Sequence, residues 1–221
     1  FIEAGAGTIT PKAVYAKAVS DNLTKTYDGT ENLRTGNKTW SGDTATGTDL
    51  SGDSIIKLEG LITGDGAKNA STGSYDGTGV GSGNKTVTYN VAIDDAHAGN
   101  YVIYADGDQT KTALTTLKTT TNTINPYGLE LSFDPVKRAY DGTTTIDSAL
   151  VKSKLGDSLN GDTVSLAAGY TANYIDPNVK TVNASTETAV NYDGLKLTGA
   201  DAANYMLVNS NGTALAASTD V

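Results

Sequence analysis

"TKTYDGTENL" (residues 24–33) and "KRAYDGTTTI" (residues 137–146) decide how this chain is read. Both runs carry Tyr-Asp-Gly-Thr, at 27–30 and 140–143, which is the signature of a strand running into a turn. The Tyr packs on a sheet, the Asp can accept a hydrogen bond from the backbone two residues on, and the Gly tolerates positive φ. Three further landmarks recur in the same order. Ile9-Thr10-Pro11 is matched by Ile124-Asn125-Pro126, "GDSIIKLEG" (52–60) by "GDTVSLAAG" (161–169), and "AGNYVI" (98–103) by "AANYML" (202–207). Four landmarks in one order predict an internal duplication. The expected layout is an N-terminal extension at 1–11, a first β-domain at 12–121, a linker or closing strand at 122–126, and a second β-domain at 127–221.

Composition points the same way. Charged residues make up 19% of the chain and hydrophobic residues 38%, while Gly is abundant and twelve Tyr accompany many Val, Ile and Thr. That mixture favours many short strands joined by tight turns. "KTVTYNVAI" (85–93) is the clearest strand: Val87, Tyr89, Val91 and Ile93 fall on one face. "AVYAKAV" (13–19) and "GLELSF" (128–133) read as the first strand of each copy, and "NYVIY" and "NYMLV" as later ones. No window carries the period of an amphipathic helix. "DDAHAG" and "GADAAN" suit single helical turns. The predicted class is all-β, as two tandem β-sandwich- or β-grasp-like domains.

The net charge is −9 with a pI near 4.5, which argues against attraction to nucleic acid or anionic lipid. Without cysteine there can be no disulfide or thiolate metal site. No stretch approaches the ~20 apolar residues of a membrane-spanning helix. The chain starts at Phe1 without a basic, apolar leader, so a signal peptide is expected to be cleaved or to lie upstream.

The order of motifs resembles the YDG-type repeats and the similar MBG repeats of large bacterial surface and secreted adhesins, including filamentous-haemagglutinin-like proteins. It runs Ile-Thr-Pro, a strand, Lys-x-Tyr-Asp-Gly-Thr, Gly-Asp, a Lys-Thr-Val strand, and Asp-Ala-x-Asn-Tyr. The resemblance covers nearly the whole chain, twice, through Tyr27-Asp28-Gly29 with Asn100-Tyr101 and Tyr140-Asp141-Gly142 with Asn204-Tyr205. It implies all-β modules strung head to tail as stalks or fibres, secreted or held at the cell surface, and no catalytic residues. Two further Tyr-Asp-Gly stretches, at 75–77 and 192–194, lack the preceding Ile-Thr-Pro and strand, and read as turns.

Little catalytic chemistry is available. His97 is the only histidine, so no multi-histidine metal site exists within one chain. The adjacent Asp94 and Asp95 would point to opposite faces of a strand and cannot act as a glycosidase pair with each other. The protein is therefore expected not to be an enzyme and to hold no cofactor. Calcium is the strongest small-ligand hypothesis, because Asp43, Asp49 and Asp53 offer hard oxygen ligands in a Gly-rich stretch. Their spacing fits no EF-hand, and solvated turn aspartates are the simpler reading. Trp40 and the tyrosines are expected mainly to pack, though they could also meet a glycan or a host or cell-surface protein.

The segments bearing Ile-Thr-Pro raise a topological question. The stretch around Ile124 is expected to close the first domain, and after "NSNGTALAASTDV" no such closing strand is expected for the second. The front segment, with Phe1, Ile2, Thr8, Ile9, Thr10 and Pro11, is then a candidate donor strand. It would complete the second domain of another copy and polymerise the chain head to tail. The alternatives are a stalk fragment from a longer repeat adhesin or a ligand-binding adhesin module.

Overall fold

The computed structural model describes residues 5, 7–159, 161–178, 189–216 and 218–220, the last three by backbone alone. Phe1 and Ile2 lie outside the described residues. Among the described residues strands account for 40% and no helix reaches seven residues, so the fold is all-β. The chain divides into two compact units. Unit 1 comprises Phe1–Lys25, Thr30–Gly36 and Gly47–Ile124; unit 2 comprises Thr26–Gly29, Asn37–Thr46 and Asn125–Val221.

Unit 1 contains β1 (Lys12–Ala18), most of β2 (Thr24–Thr26), β3 (Arg34–Thr35), β4 (Thr48–Asp49), β5 (Ile56–Glu59), β6 (Thr72–Tyr75), β7 (Gly81–Asn90), β8 (Tyr101–Ala105) and β9 (Thr116–Asn125). Strand β1 pairs antiparallel with β5 and parallel with β8. A second sheet has the order β2-β9-β7-β6. The alternation read from the sequence is realised: Val87, Tyr89, Val91 and Ile93 are all buried, as are Val14, Ala16 and Ala18 on one face of β1. Midway along β7 the ladder with β9 shifts register around Lys85, at a β-bulge. The buried Asn122 repairs it. Its amide donates to the carbonyls of Lys85 (3.0 Å) and Thr119 (3.1 Å), and its Oδ1 accepts from the Leu23 N–H (2.8 Å). A side-chain amide thus stands in for ladder groups that the bulge displaces.

Unit 2 repeats this plan with β10 (Tyr127–Phe133), β11 (Ser153–Leu155), β12 (Ser165–Leu166), β13 (Thr171–Tyr174), β14 (Val190–Asp193), β15 (Leu197–Thr198), β16 (Tyr205–Val208) and β17 (Ser218–Asp220). Strand β10 pairs antiparallel with β11 and parallel with β16. Its core gathers Leu131, Ile146, Ala172, Val190, Tyr192, Leu195 and Leu207, with Phe133 stacked on Tyr192 at 3.6 Å. "DDAHAG" and "GADAAN" lead into single 3-10 turns, Ala98–Asn100 and Ala202–Asn204.

Three expectations change. First, the segment pairing changes: β5 corresponds to β11, not to the stretch 161–169. Leu58 faces Ala16 as Leu155 faces Leu131, and β1 and β10 align because Lys12 faces Tyr101 as Tyr127 faces Tyr205. The shared Gly-Asp had drawn the wrong segments together. Second, the second copy does have a strand near its end. Thr219 of β17 faces Tyr192 of β14, as Leu117 of β9 faces Tyr89 of β7. β17 covers three residues where β9 covers ten.

Third, the first Tyr-Asp-Gly falls in unit 2 although it precedes residue 47. There the Tyr27 N–H donates to the Asn125 carbonyl (2.8 Å). Asn37–Thr46 is held in the same unit by a pair of bonds, Ser41 N–H to Gly128 carbonyl and Gly128 N–H to Thr39 carbonyl, each 2.9 Å. Trp40 lies over Gly128 and Gly212, where a Cβ would meet its side chain at 2.8 and 2.6 Å. Packing is the role the structure shows for this tryptophan.

Candidate functional site

The structure gathers the repeat tyrosines around one carboxylate in each unit. In unit 2 the carboxylate is Asp162, on the turn before β12. Its Oδ2 accepts from Tyr205 at 2.6 Å and from Tyr27 at 2.9 Å. The Tyr205 hydroxyl in turn accepts from the Leu159 N–H at 3.0 Å. Edge-on aromatic contacts frame the group, Tyr27 to Tyr205 at 5.5 Å and Tyr127 to Tyr205 at 5.8 Å, the geometry ring quadrupoles prefer. All three tyrosines are buried. Burial first, then the Asp162 carboxylate, pushes the Tyr27 hydroxyl up to about 12. The same two causes push Tyr205 up as well. Asn204 also meets the Tyr27 hydroxyl.

Unit 1 carries the same group with one member absent. Tyr101 donates to Asp65 and accepts from the Ile62 N–H at 3.2 Å. These match Tyr205, Asp162 and Leu159 contact for contact. Asp65 also accepts from the Ala67 N–H at 2.9 Å, and the Tyr101 hydroxyl is the main cause holding its carboxyl below the ordinary range. His97 sits beside it, its Nδ1 2.8 Å from Asp94; that contact raises its pKa. No described tyrosine takes the place that Tyr27 takes on Asp162. Asn100, the counterpart of Asn204, is exposed, and Ile62 is 52% exposed.

Tyr140, the second-repeat counterpart of Tyr27, is 63% exposed where Tyr27 is 4%. Its neighbour Asp141 makes the turn read from the sequence, accepting from the Thr143 N–H at 2.9 Å. Arg138 pairs with Asp141 and holds its carboxyl down at about 2. Gly29 and Gly142 both carry the expected positive φ, +72° and +79°, while Asp28 accepts from the Asn37 amide at 3.4 Å.

Of the proposed donor segment, Thr8, Ile9, Thr10 and Pro11 are exposed and form no strand. Ile9 is 99% exposed, whereas its counterpart Ile124, at the end of β9, is buried at 0%. Residues 122–125 are thus strand rather than linker. The counterpart of β2 in unit 2, residues 137–139, is not in a strand, although β2 itself pairs with β9.

The candidate calcium ligands are occupied locally. Asp43 accepts from Thr39 and Ala45 N–H groups, both on its own turn. Asp49 pairs with Arg34, and Asp53 accepts from Asn69. Among the described residues no three His, Cys, Asp or Glu side chains are arranged to hold a metal ion.

Sequence reasoning missed Asp65 and Asp162 as the centres of these groups. The usable signal was an apolar residue three positions before Asp in both "ITGD" (62–65) and "LNGD" (159–162), obscured by aligning 161–169 with 52–60.

Residues 125–214 match the YDG domain. That stretch holds Tyr140, Asp162, Asn204 and Tyr205. The comparisons with curated proteins and with solved structures gave no match. Among the described residues no helix is long and apolar enough to cross a membrane.

Proposed function

We propose that this chain is an extracellular structural or adhesive protein of a bacterial surface fibre. Its segment around Ile9 adds as a strand to the second repeat of another copy, joining copies head to tail. One observation carries the reading: the same Ile-Thr/Asn-Pro element is buried at Ile124 and 99% exposed at Ile9. A β-branched apolar residue closing a sheet in one context and standing in water in the other is matched to a partner surface.

The acceptor is the edge at residues 137–139, whose counterpart β2 is paired with β9. Among the described residues this stretch is in no ladder, and backbone outside a ladder can offer N–H and C=O groups to an incoming strand, with the Ala139 carbonyl exchanging its bond from Arg138. Each bond gained is worth roughly 1 kcal/mol net, and burying Ile9 adds about 2 kcal/mol. Because the donor and acceptor surfaces differ, the contact does not close on itself and generates filaments. The acidic, cysteine-free composition and the YDG match fit a secreted repeat protein.

Electron microscopy of the intact chain and of a version lacking residues 1–11 tests this. Filaments from the intact chain only are expected. Filaments from both, or from neither at high concentration, would overturn the reading.

A further inference from the structure

We propose that Tyr140 docks onto the Asp65–Tyr101 group of a second copy, as a second, side-chain-specific contact in the head-to-tail joint. The template lies inside unit 2. There a Tyr-Asp-Gly tyrosine, Tyr27, donates to a carboxylate already held by the tyrosine of an Asn-Tyr strand, with its ring edge-on to that tyrosine at 5.5 Å. By sequence Tyr27 belongs to the first repeat, and Asp162, Asn204 and Tyr205 belong to the second. In this contact a repeat's Tyr-Asp-Gly tyrosine serves the Asp/Asn/Tyr group of the repeat that follows it.

Among the described residues one further donor and one further acceptor fit this pattern. The donor is Tyr140, exposed at 63%. The acceptor is Asp65 with Tyr101 and Asn100, bounded by Ile62 at 52% exposure. Tyr101 is already aligned on Asp65 and supported by the Ile62 N–H, so the acceptor is organised before the partner arrives. The chemistry is matched: a phenol O–H to a carboxylate is a charge-assisted bond, and the incoming ring would cover Ile62, while Tyr101 is already buried at 7%. On the head-to-tail reading proposed above, the occupant is a second copy of this chain, presenting Tyr140 from its second repeat to the first repeat of its neighbour. That polarity is the one strand donation requires, since residues 7–11 run directly into β1, which pairs with β8 beginning at Tyr101.

The inference extends the head-to-tail reading and can fail separately from it. Sedimentation equilibrium of the whole chain, with Tyr140→Phe, provides the test. Loss of one charge-assisted bond predicts association weakened roughly tenfold to a hundredfold, with an unchanged unfolding midpoint because Tyr140 is exposed. Unchanged association would overturn the inference. Mixing supplies the second arm. Tyr140→Ala keeps the acceptor and Asp65→Ala keeps the donor, so the mixture should form discrete pairs more tightly than either variant alone. With Asp65→Ala shown by circular dichroism to be folded, or Asp65→Asn used in its place, a mixture no tighter than its components would overturn it. If Tyr140→Phe changes nothing while removal of residues 1–11 abolishes association, this contact is wrong and strand donation survives. The reverse pattern leaves this contact standing and removes strand donation.

Discussion

Replacing Asp162 by Ala should destabilise unit 2 more than any single change among the tyrosines around it. In the folded chain its Oδ2 takes hydroxyls from Tyr205 (2.6 Å) and Tyr27 (2.9 Å), both on side chains at most 6% exposed. A hydrogen bond to a charged acceptor contributes about 1.5–3 kcal/mol, and a buried hydroxyl left without an acceptor costs about 1–3 kcal/mol. Asp162→Ala therefore costs about 3–5 kcal/mol. Tyr27→Phe keeps the ring contact with Tyr205 and removes the bond to Asp162 together with the contact from Asn204, costing about 1.5–3 kcal/mol. In the Asp162→Ala background the same change removes a hydroxyl that has lost its acceptor and keeps only the Asn204 contact, so it should cost less than about 1 kcal/mol. The coupling energy is then about 1.5–3 kcal/mol less that residual cost. Urea unfolding followed by tryptophan fluorescence reports this unit, because Trp40 is the only tryptophan and belongs to unit 2. Additivity of the two changes within about 0.5 kcal/mol, the behaviour of independent sites, would refute the shared-carboxylate account.

The same group sets an alkaline limit. Tyr27 keeps its proton up to about 12 in the folded chain, against about 10 unfolded. Its contribution is complete below pH 10 and is lost between about 10 and 12; Tyr27→Phe should flatten that part of the pH–stability curve. At the acid end Asp141 is held down at about 2 by Arg138. Its contribution is present above pH 4 and lost as pH falls toward 2, and Arg138→Ala should move the Asp141 carboxyl titration, followed by NMR, up toward 4. Gly128→Ala puts a methyl 2.8 Å from Trp40 Cβ and 2.9 Å from Val208 Cγ1. It should cost about 1–3 kcal/mol and red-shift the Trp40 emission.

Much of the local structure was legible. Period-two burial in β7 followed from Val87, Tyr89, Val91 and Ile93, because a half-buried strand allows little else. Positive φ at Gly29 and Gly142 followed from backbone chemistry, as did the Asp141 bond from the Thr143 N–H, whereas Tyr140, expected to pack on a sheet, is exposed. The packing assignment of Tyr27 did not follow, because a sequence repeat records duplication and not which unit a side chain packs in. Its partner, Asp162, lies 135 residues away, beyond any local pattern. The bulge at Lys85 was likewise hidden: Asn122 reads as a polar strand residue until its three backbone partners are known. The counterpart of β5 was misread because Gly-Asp turns recur throughout this chain, whereas register against the first strand is a long-range property.

Amide hydrogen exchange at residues 137–139, measured at dilutions that hold the chain monomeric and at concentrations that assemble it, tests the central claim most directly. If the segment around Ile9 of one copy pairs with this edge of the next, these amides exchange freely when dilute and become protected on assembly, and Ile9→Asp abolishes that protection. Assembly that leaves their exchange rates unchanged would contradict head-to-tail strand addition.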